Sequence, residues 1–280
     1  MEFKQYNELS EFGAATLAVL LENEVQNNLI ISFINNENNK DTKAWFLGTV
    51  KDETGSVVLT AACTPPFNIV LYETANCPND RALSCLAEEI QQRKLHFPGV
   101  LAEQDLAQRA AKLLKGDKNV KQNLSMYIMR LDHLNEVAEV PGRLRYLQET
   151  DLYYIPYWEK SFGEECHTEF YDIATHIEKT KERLNKNIHF IWEDQHPVSQ
   201  AINGRNTNYG AGINYVYTPP NYRNRGYGSR LVAEASQLLL QRGYQFCFLF
   251  ADTANPISCG IYRKIGYREL CTFSDLRFVE

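Results

Sequence analysis

The clearest pattern of apolar and polar positions lies in the last third of the chain. Apolar residues at positions 231, 232, 235, 238 and 239 recur at helical spacing and predict an amphipathic helix. Tyr215 to Tyr217 favour a strand, which Pro219 and Pro220 should end because proline cannot donate to a ladder. A continuous apolar run at 246–251 predicts a buried strand after the helix. The predicted order is strand, loop, helix, strand.

Weaker patterns precede this segment. Two helices and then two strands are predicted at residues 151–166, interrupted by Pro156, and at 169–184, 188–192 and 198–203. Residues 135–145 contain Pro141 and Gly142 and have no strong apolar period, which is typical of a linker. We therefore predict a domain boundary there, with one domain at 1–134 and a second at 143–280.

The first half of the chain repeats the layout of the second. Its predicted elements are a helix at 14–21, strands at 44–49, 57–63 and 69–72, helices at 80–93 and 103–114, and a strand at 126–131. Thr64-Pro65-Pro66 ends the second of these strands, as Thr218-Pro219-Pro220 ends the later one. No glycine occurs between Phe67 and Pro98, so the first copy lacks a loop of close backbone approach. A degenerate internal duplicate explains this order, and chance repetition of Thr-Pro-Pro is the alternative.

Composition and charge indicate a globular protein with ample core. Of 280 residues, 44% are hydrophobic and 23% are charged, and the net charge of -6 argues against nucleic-acid binding. Seven cysteines without Cys-x-x-Cys spacing fit reduced thiols in a cytoplasmic protein, with Cys63 and Cys247 in apolar runs as packing residues. No apolar run has the length of a membrane span, and the acidic N-terminus is unlike a signal peptide.

The loop before the amphipathic helix carries candidate binding chemistry. It reads Arg223-Asn224-Arg225-Gly226-Tyr227-Gly228-Ser229. Glycines allow close backbone approach, and the free N–H groups of a first helical turn attract phosphate. Arg223, Arg225 and Arg230 would add positive charge, whereas an ordinary polar turn is the alternative. The loop lacks the lysine of a Walker loop and the third glycine of a dinucleotide fingerprint.

Residues 255–267 have the signals of a short helix. Asn255 is placed to cap it, Pro256 occupies its first position and Gly266 follows its end. Arg263 and Lys264 in the last turn complement the helix dipole.

These two segments resemble motifs A and B of the GNAT superfamily of N-acetyltransferases. The stretch from Val216 to Ser229 is similar to motif A, in which Arg/Gln-x-x-Gly-x-Gly/Ala binds the pyrophosphate of acetyl-coenzyme A, and residues 255–267 are similar to motif B. The resemblance covers roughly the C-terminal half. It implies an α/β fold with mixed, mostly antiparallel sheets flanked by helices. Together with the repeated layout, it implies two GNAT-like folds in tandem, the N-terminal one degenerate.

The resemblance also implies roles for individual residues. It implies acetyl-CoA binding by Val216, Tyr217, Thr218, Arg223, Asn224, Arg225, Gly226, Tyr227, Gly228, Ser229 and Asn255. Backbone N–H groups near Val216 and Thr218 would stabilise an oxyanion, because strands splay apart at this point in the family. Tyr262 matches the tyrosine that serves the leaving thiolate as general acid, and core packing of its ring is the alternative. For Asn255, capping is a sufficient explanation.

The sequence does not identify a general base. Residues 209–218 contain no carboxylate, so the strand position that holds an acidic base in some relatives is unfilled. Glu164, Glu165, Glu193, Asp194 or a chain of water molecules are the candidates, although each acid is also explained as a surface charge. His167, His176, His189 and His196 have no metal-ligand spacing, and no metal is predicted.

These inferences predict an acetyl-CoA-dependent N-acetyltransferase whose active site lies in the C-terminal half. The acceptor would be a small-molecule or peptide amine, and the net negative charge favours a cationic one. Neither nucleic acid nor a membrane is expected as a partner. Two alternatives stay open: a catalytically inactive acyl-CoA-binding or regulatory protein, and a transferase of aminoacyl or long acyl groups. Only the C-terminal copy is expected to bind coenzyme A.

Overall fold

The structure, a computed structural model, describes residues 1–36, 41–75, 80–116, 119–166 and 171–279. The chain forms two compact units. The first contains Met1–Ile128 and Glu269–Glu280, and the second contains Met129–Arg268.

The first half contains strands and helices in a mixed order. They are β1 (Glu2–Tyr6), α1 (Leu9–Leu21), α2 (Asn28–Asn35), β2 (Phe46–Lys51), β3 (Val57–Cys63), β4 (Ile69–Glu73), α3 (Arg81–Gln92), β5 (Gly99–Glu103), α4 (Gln104–Lys115) and β6 (Val120–Leu131). Strands β1 to β4 pair antiparallel in sequence order. Strands β4 and β5 are parallel, with Ile69 opposite Val100.

The second half repeats this order of elements. It consists of β7 (Arg143–Tyr146), α5 (Ile155–Glu165), α6 (Ile173–Arg183), β8 (His189–Asp194), β9 (His196–Asn203), β10 (Gly210–Tyr217), α7 (Tyr227–Gln241), β11 (Phe246–Asp252), α8 (Pro256–Ile265) and β12 (Arg268–Phe278). Short 3-10 helices lie at Glu149–Tyr153 and Pro220–Tyr222. Strands β7 to β10 pair antiparallel, and β10 and β11 are parallel. The repeated layout is therefore present in the structure.

Helices cover both faces of the sheet in the first unit. Along β3, Ala61 packs with residues of α3 and α4, whereas its neighbour Ala62 packs with residues of α1 and α2. Successive side chains of a strand point to opposite faces, so every residue of β3 is buried. This explains why β3 is a continuous apolar run rather than an alternating one. None of the described helices is long and apolar enough to cross a membrane.

The last strand belongs to the first compact unit. Strand β12 pairs antiparallel with β5, with Leu276 opposite Val100. The Asn68 side-chain amide donates to Asp275 Oδ1 at 2.7 Å, and a Cβ on Gly99 would lie only 1.9 Å from the Leu276 carbonyl oxygen. The compact units therefore differ from the predicted limits of 1–134 and 143–280. The apolar and polar pattern of a segment can predict that it forms a strand, but it does not tell which other strand it pairs with.

The sequence patterns miss several short or polar elements, namely β1, α2, β5, β7 and β12. Strand β7 begins at Arg143, inside the predicted linker. The Arg143 side chain is exposed to solvent. Short strands with one polar face give too few alternations to be recognised. The predicted helix at 169–184 is observed from Ile173, after the cap residue Asp172. Its predicted start lies among residues 167–170, outside the described part of the chain.

Candidate active site in the second unit

The parallel strands β10 and β11 separate along their length. They pair at Gly210, Ala211 and Gly212, opposite residues 246, 247 and 248. Beyond those pairs the two strands continue to Tyr217 and Asp252. A split therefore opens between residues 213–217 of β10 and 249–252 of β11.

A bulge in β10 lies beside the split. The pairing of β10 with β9 becomes irregular between Asn214 and Tyr217. Within this segment Tyr215 has a φ of 51°, a left-handed conformation that a tyrosine rarely adopts. A bulge redirects the side chains of its strand. Phe162 of α5 packs against Tyr215 with ring centroids 5.1 Å apart, so an aromatic contact supports the bulge.

The glycine loop leads directly into α7, as predicted. Asn224 and Gly226 have positive φ values of 63° and 81°, and Gly226 immediately precedes the helix. The Arg230 N–H donates to the Gly226 carbonyl oxygen at 3.0 Å, which closes the first turn. A Cβ on Gly228 would lie 3.0 Å from Thr218 Oγ1. Glycine at 228 therefore keeps the helix start close to the end of β10.

Hydroxyl groups connect the ends of β9 and β10 with α7. The Ser199 hydroxyl donates to the Tyr217 carbonyl oxygen at 3.1 Å, and its oxygen lies 2.9 Å from Thr218 Oγ1. The buried Tyr227 donates its hydroxyl to Asp194 at 2.5 Å, which raises the pKa of the phenol. Val216 and Ser229 are half-buried in the same region. The structure thus brings residues 216–218 and 226–229 together, and it adds Ser199, which no sequence motif indicated.

Carboxylates neutralise two of the three arginines near the loop. Arg223 contacts both Glu165 oxygens at 2.8 Å and donates from Nε to the Thr218 carbonyl oxygen at 2.8 Å. Arg230 contacts Glu234 at 2.8 Å and Glu139 at 3.0 Å. The exposed Arg225 acts on the Tyr227 hydroxyl and lowers the pKa of that phenol, against the larger effect of Asp194. The positive charge at the loop is therefore smaller than the sequence suggests, and the backbone N–H groups become the stronger attraction for phosphate.

Helix α8 has the predicted caps. Asn255 Oδ1 accepts from the Ser258 N–H at 3.0 Å, and Gly266, with a φ of 119°, ends the helix. Tyr262 is 8% exposed, and its ring meets that of Tyr267 edge-on with centroids 6.0 Å apart. Burial, with the nearby Cys166 and Cys259 thiols, raises the pKa of the Tyr262 phenol above its usual range. Tyr262 therefore packs in the core and also faces a cluster of thiols.

The candidate bases are held by other side chains. Glu164 pairs with Lys160 at 2.8 Å, and the Arg145 and Arg143 guanidinium groups hold the pKa of Glu193 below its usual range. Glu165 and Asp194 have the contacts with Arg223 and Tyr227 given above.

Asp252, at the end of β11, is an acid that the sequence analysis did not single out. Its carboxylate accepts from the Ala254 N–H at 2.9 Å and lies near Cys166, whose pKa is raised to about 11 by burial first and by Asp252 next. An acid that ends a buried strand just before a helix cap is a weak signal that the sequence does contain.

Three of the four candidate histidines pack against other side chains. His176 lies 3.4 Å from Glu159, His189 lies 3.3 Å from Gln200, and the ring of His196 packs on Tyr222. His167 lies outside the described residues. Within the described ranges, no three His, Cys, Asp or Glu side chains are arranged to hold a metal ion.

The corresponding loop of the first unit has a different character. Arg109 contacts Glu73, the last residue of β4, and also Asp80, just before α3, at 2.9 Å, and Asp105 at 2.8 Å. Residues 76–79 of this glycine-free loop lie outside the described part of the chain. Carboxylates at both described ends of the loop would repel a phosphate group.

Comparisons with known proteins agree with this architecture. Residues 194–276 match the family described as FR47-like protein. A Drosophila protein of known structure superposes with a TM-score of 0.71 at 13% identity, covering 99% of this chain and 98% of its own. A GCN5-related N-acetyltransferase from Sphaerobacter thermophilus has a TM-score of 0.67 at 14% identity, with 98% and 95% covered.

A tandem GNAT protein from the clavulanic acid biosynthesis pathway has a TM-score of 0.61 at 13% identity, with 98% and 97% covered. No curated protein sequence matches this chain. At such identities the structural matches establish the fold rather than the activity, and they extend over both halves. The chain therefore has a GNAT-type fold that is similar over both halves to a tandem GNAT protein, and residues 194–276 match the FR47-like family.

Proposed function

We propose that this protein transfers an acetyl group from acetyl-coenzyme A to an amine at the split between β10 and β11. The observation that carries the proposal is the opening of two parallel strands directly beside a glycine loop and the first turn of α7. Ligands of α/β folds bind at the carboxyl ends of parallel strands, and a helix N-terminus attracts phosphate. The GNAT-type fold of the whole chain supports this reading.

Glycines would let a pyrophosphate approach the backbone of the loop. Gly226 has a conformation that favours glycine, and a side chain at 228 would crowd Thr218. Backbone N–H groups of residues 226–229 would therefore hold the pyrophosphate, with Arg225 as an exposed cation beside them. Arg223 would support the site indirectly, because its guanidinium ties Glu165 to the end of β10. The donor supplies a thioester, in which the acyl carbon is open to attack and the thiolate can leave.

The backbone of β10 is suited to stabilise an oxyanion. Beyond Gly212 the edge of β10 that faces β11 diverges from its partner, and the bulge at Tyr215 reorients the peptide groups that follow. N–H groups near Val216 and Thr218 would then donate to the carbonyl oxygen of the acyl group as charge develops on it. Such preorganised donors contribute without any movement during the reaction.

Tyr262 would act as a hydrogen-bond donor to the leaving thiolate. Its phenol stays protonated at neutral pH, because burial raises its pKa. A thiolate has a pKa of about 8.5, so complete proton transfer from this phenol is unfavourable. A short hydrogen bond from phenol to sulfur still lowers the energy of the departing anion. Tyr262 is then a weaker acid than the ordinary phenol that the sequence alone suggested.

A carboxylate near the split would take the amine proton. Asp252 and Glu165 both lie close enough to Cys166 to raise the pKa of its thiol, and Cys166 in turn acts on Tyr262, which supports a role for one of these acids. Asp252 ends β11 at the split itself, so it is the better placed of the two. A base on β11 would replace the carboxylate that β10 lacks.

Calorimetry and a turnover assay together test this function. The full chain should bind acetyl-CoA at a single site and release coenzyme A thiol when an amine panel is added. Binding without thiol release would identify an inactive acyl-CoA-binding protein, and faster release from long-chain than from acetyl thioesters would indicate a long-acyl transferase. Absence of binding would refute the proposal.

A further inference from the structure

Arg205 is a guanidinium beside the split for which the described residues supply no carboxylate partner. It lies in the loop between β9 and β10, and its Cζ is 4.8 Å from the centroid of the Phe250 ring on β11. It also acts electrostatically on the Tyr215 hydroxyl of β10. The Arg205 side chain thus contacts β11 and lies within electrostatic reach of β10, at the point where the two strands diverge.

The charge of Arg205 is unbalanced within the described part of the chain. No described carboxylate lies within ion-pair distance of it, whereas Arg145, Arg183, Arg223 and Arg230 of the same unit all have one. Burial lowers the pKa of Arg205 to about 10, which still leaves the group charged at neutral pH. Arg205 is partly buried, and a partly desolvated cation without an anion gains from a ligand that supplies one.

The loop that carries Arg205 is held rigidly. Asn203 and Asn206 exchange side-chain hydrogen bonds at 2.6 and 3.1 Å, and both amides also bind the backbone of Gly212. A Cβ on Gly212 would lie 2.2 Å from the Gly204 carbonyl oxygen, so only glycine permits this close packing on β10. Arg205 itself has a φ of 59°, which is uncommon for arginine. Strain of this kind is kept where the surrounding structure fixes a functional side chain.

We propose that Arg205 binds a carboxylate of the acceptor, so that the acceptor is an amine that also carries a carboxylate, as an amino acid does. This inference rests on the proposed transferase function and names the substrate class of that same site. The Phe250 ring beneath the guanidinium, and Tyr215 with the Phe162 ring packed on it, would contact the apolar part of such a molecule. A guanidinium and a carboxylate can form two parallel hydrogen bonds, which fixes orientation as well as affinity. Local charge at the split then outweighs the net charge of -6, which had favoured a cationic acceptor.

Binding of a product analogue tests the role of Arg205 without turnover. The probes are N-acetylphenylalanine and its uncharged amide, titrated into the full chain by calorimetry. The wild-type protein should bind the carboxylate about 10- to 100-fold more tightly than the amide, the range expected for a hydrogen bond to a charged group. Arg205→Gln should bind both equally. Equal binding by the wild-type protein, or a preference that survives in Arg205→Gln, would overturn the proposal.

Arg130 offers a matched control. Its guanidinium also lies over a phenylalanine of β11, 4.0 Å from the Phe246 centroid, but Asp132 pairs with it at 2.7 Å. Arg130→Gln should keep the preference for the carboxylate, while thermal unfolding of both variants measures the cost of losing the ring contact.

Turnover separates this proposal from the general function. Transfer to phenylalanine and to phenylalaninamide should differ in kcat/KM, and Arg205→Gln should remove the difference. If Arg205 governs product binding but no amine is acetylated, the transferase function fails and the carboxylate site stands. If amines are acetylated with identical selectivity by the wild-type protein and Arg205→Gln, the reverse holds.

Discussion

Gly228 provides a direct test of the pyrophosphate site. We expect Gly228→Val to abolish most of the affinity for coenzyme A while leaving the fold intact. A Cβ at this position would lie 3.0 Å from Thr218 Oγ1, so the neighbouring hydroxyl must give by a few tenths of an ångström. The branched methyl groups of valine would then project from the first turn of α7, where the phosphate must approach the backbone.

The size of the effect follows from the hydrogen bonds at risk. A hydrogen bond to a charged group contributes about 1.5–3 kcal/mol, and each 1.4 kcal/mol corresponds to about tenfold in affinity. Loss of one such bond from an N–H group of residues 226–229 should therefore weaken binding about 10- to 100-fold. Glycine and valine differ by only about 0.3 kcal/mol in helix propensity, so folding stability should change little from that source.

Gly260 of α8 is the matched control for this substitution. A Cβ there would meet no atom within 4 Å, so Gly260→Val changes a helical glycine without filling a contact. Calorimetry with coenzyme A and thermal unfolding should be measured for both variants. An affinity of Gly228→Val within threefold of the wild-type value, with an unchanged unfolding midpoint, would refute the assignment of the pyrophosphate to this loop.

Three further outcomes are expected. Tyr262→Phe should lower kcat by about 10²-fold or more with little change in coenzyme A affinity, since it removes one positioned donor; unchanged turnover with a lower unfolding midpoint would assign Tyr262 to packing alone. Glu165→Gln should weaken the ion pair with Arg223 and raise coenzyme A affinity, because one negative charge beside the loop is lost. Equal or weaker binding of coenzyme A in calorimetry would contradict this. His189 has a folded pKa of about 3 against about 6.5 in the unfolded chain, so the unfolded state takes up its proton first as pH falls. Its contribution to stability should therefore fall by about 1.4 kcal/mol per pH unit below pH ~6.5, and His189→Gln should flatten denaturation midpoints over that range.

Much of the fold follows from local patterns in the sequence. The turn between β2 and β3, the buried run of β11 and both caps of α8 are predicted from residues adjacent in the chain. The two Thr-Pro-Pro repeats likewise indicate the duplicated layout, which the structure contains. Such features depend on backbone preferences and on the period of apolar residues, and both are local properties.

Only the tertiary structure decided which groups meet. The sequence places three arginines near the glycine loop, but the structure pairs Arg223 with Glu165 and Arg230 with Glu139, in addition to the local pair of Arg230 with Glu234. It places Arg205, which no motif marks, at the split between β10 and β11. It also assigns β12 to the first unit through β5, although the sequence continues directly from α8. Ion pairs and strand partners depend on distances across the fold, and a residue's own neighbours in the chain do not encode them.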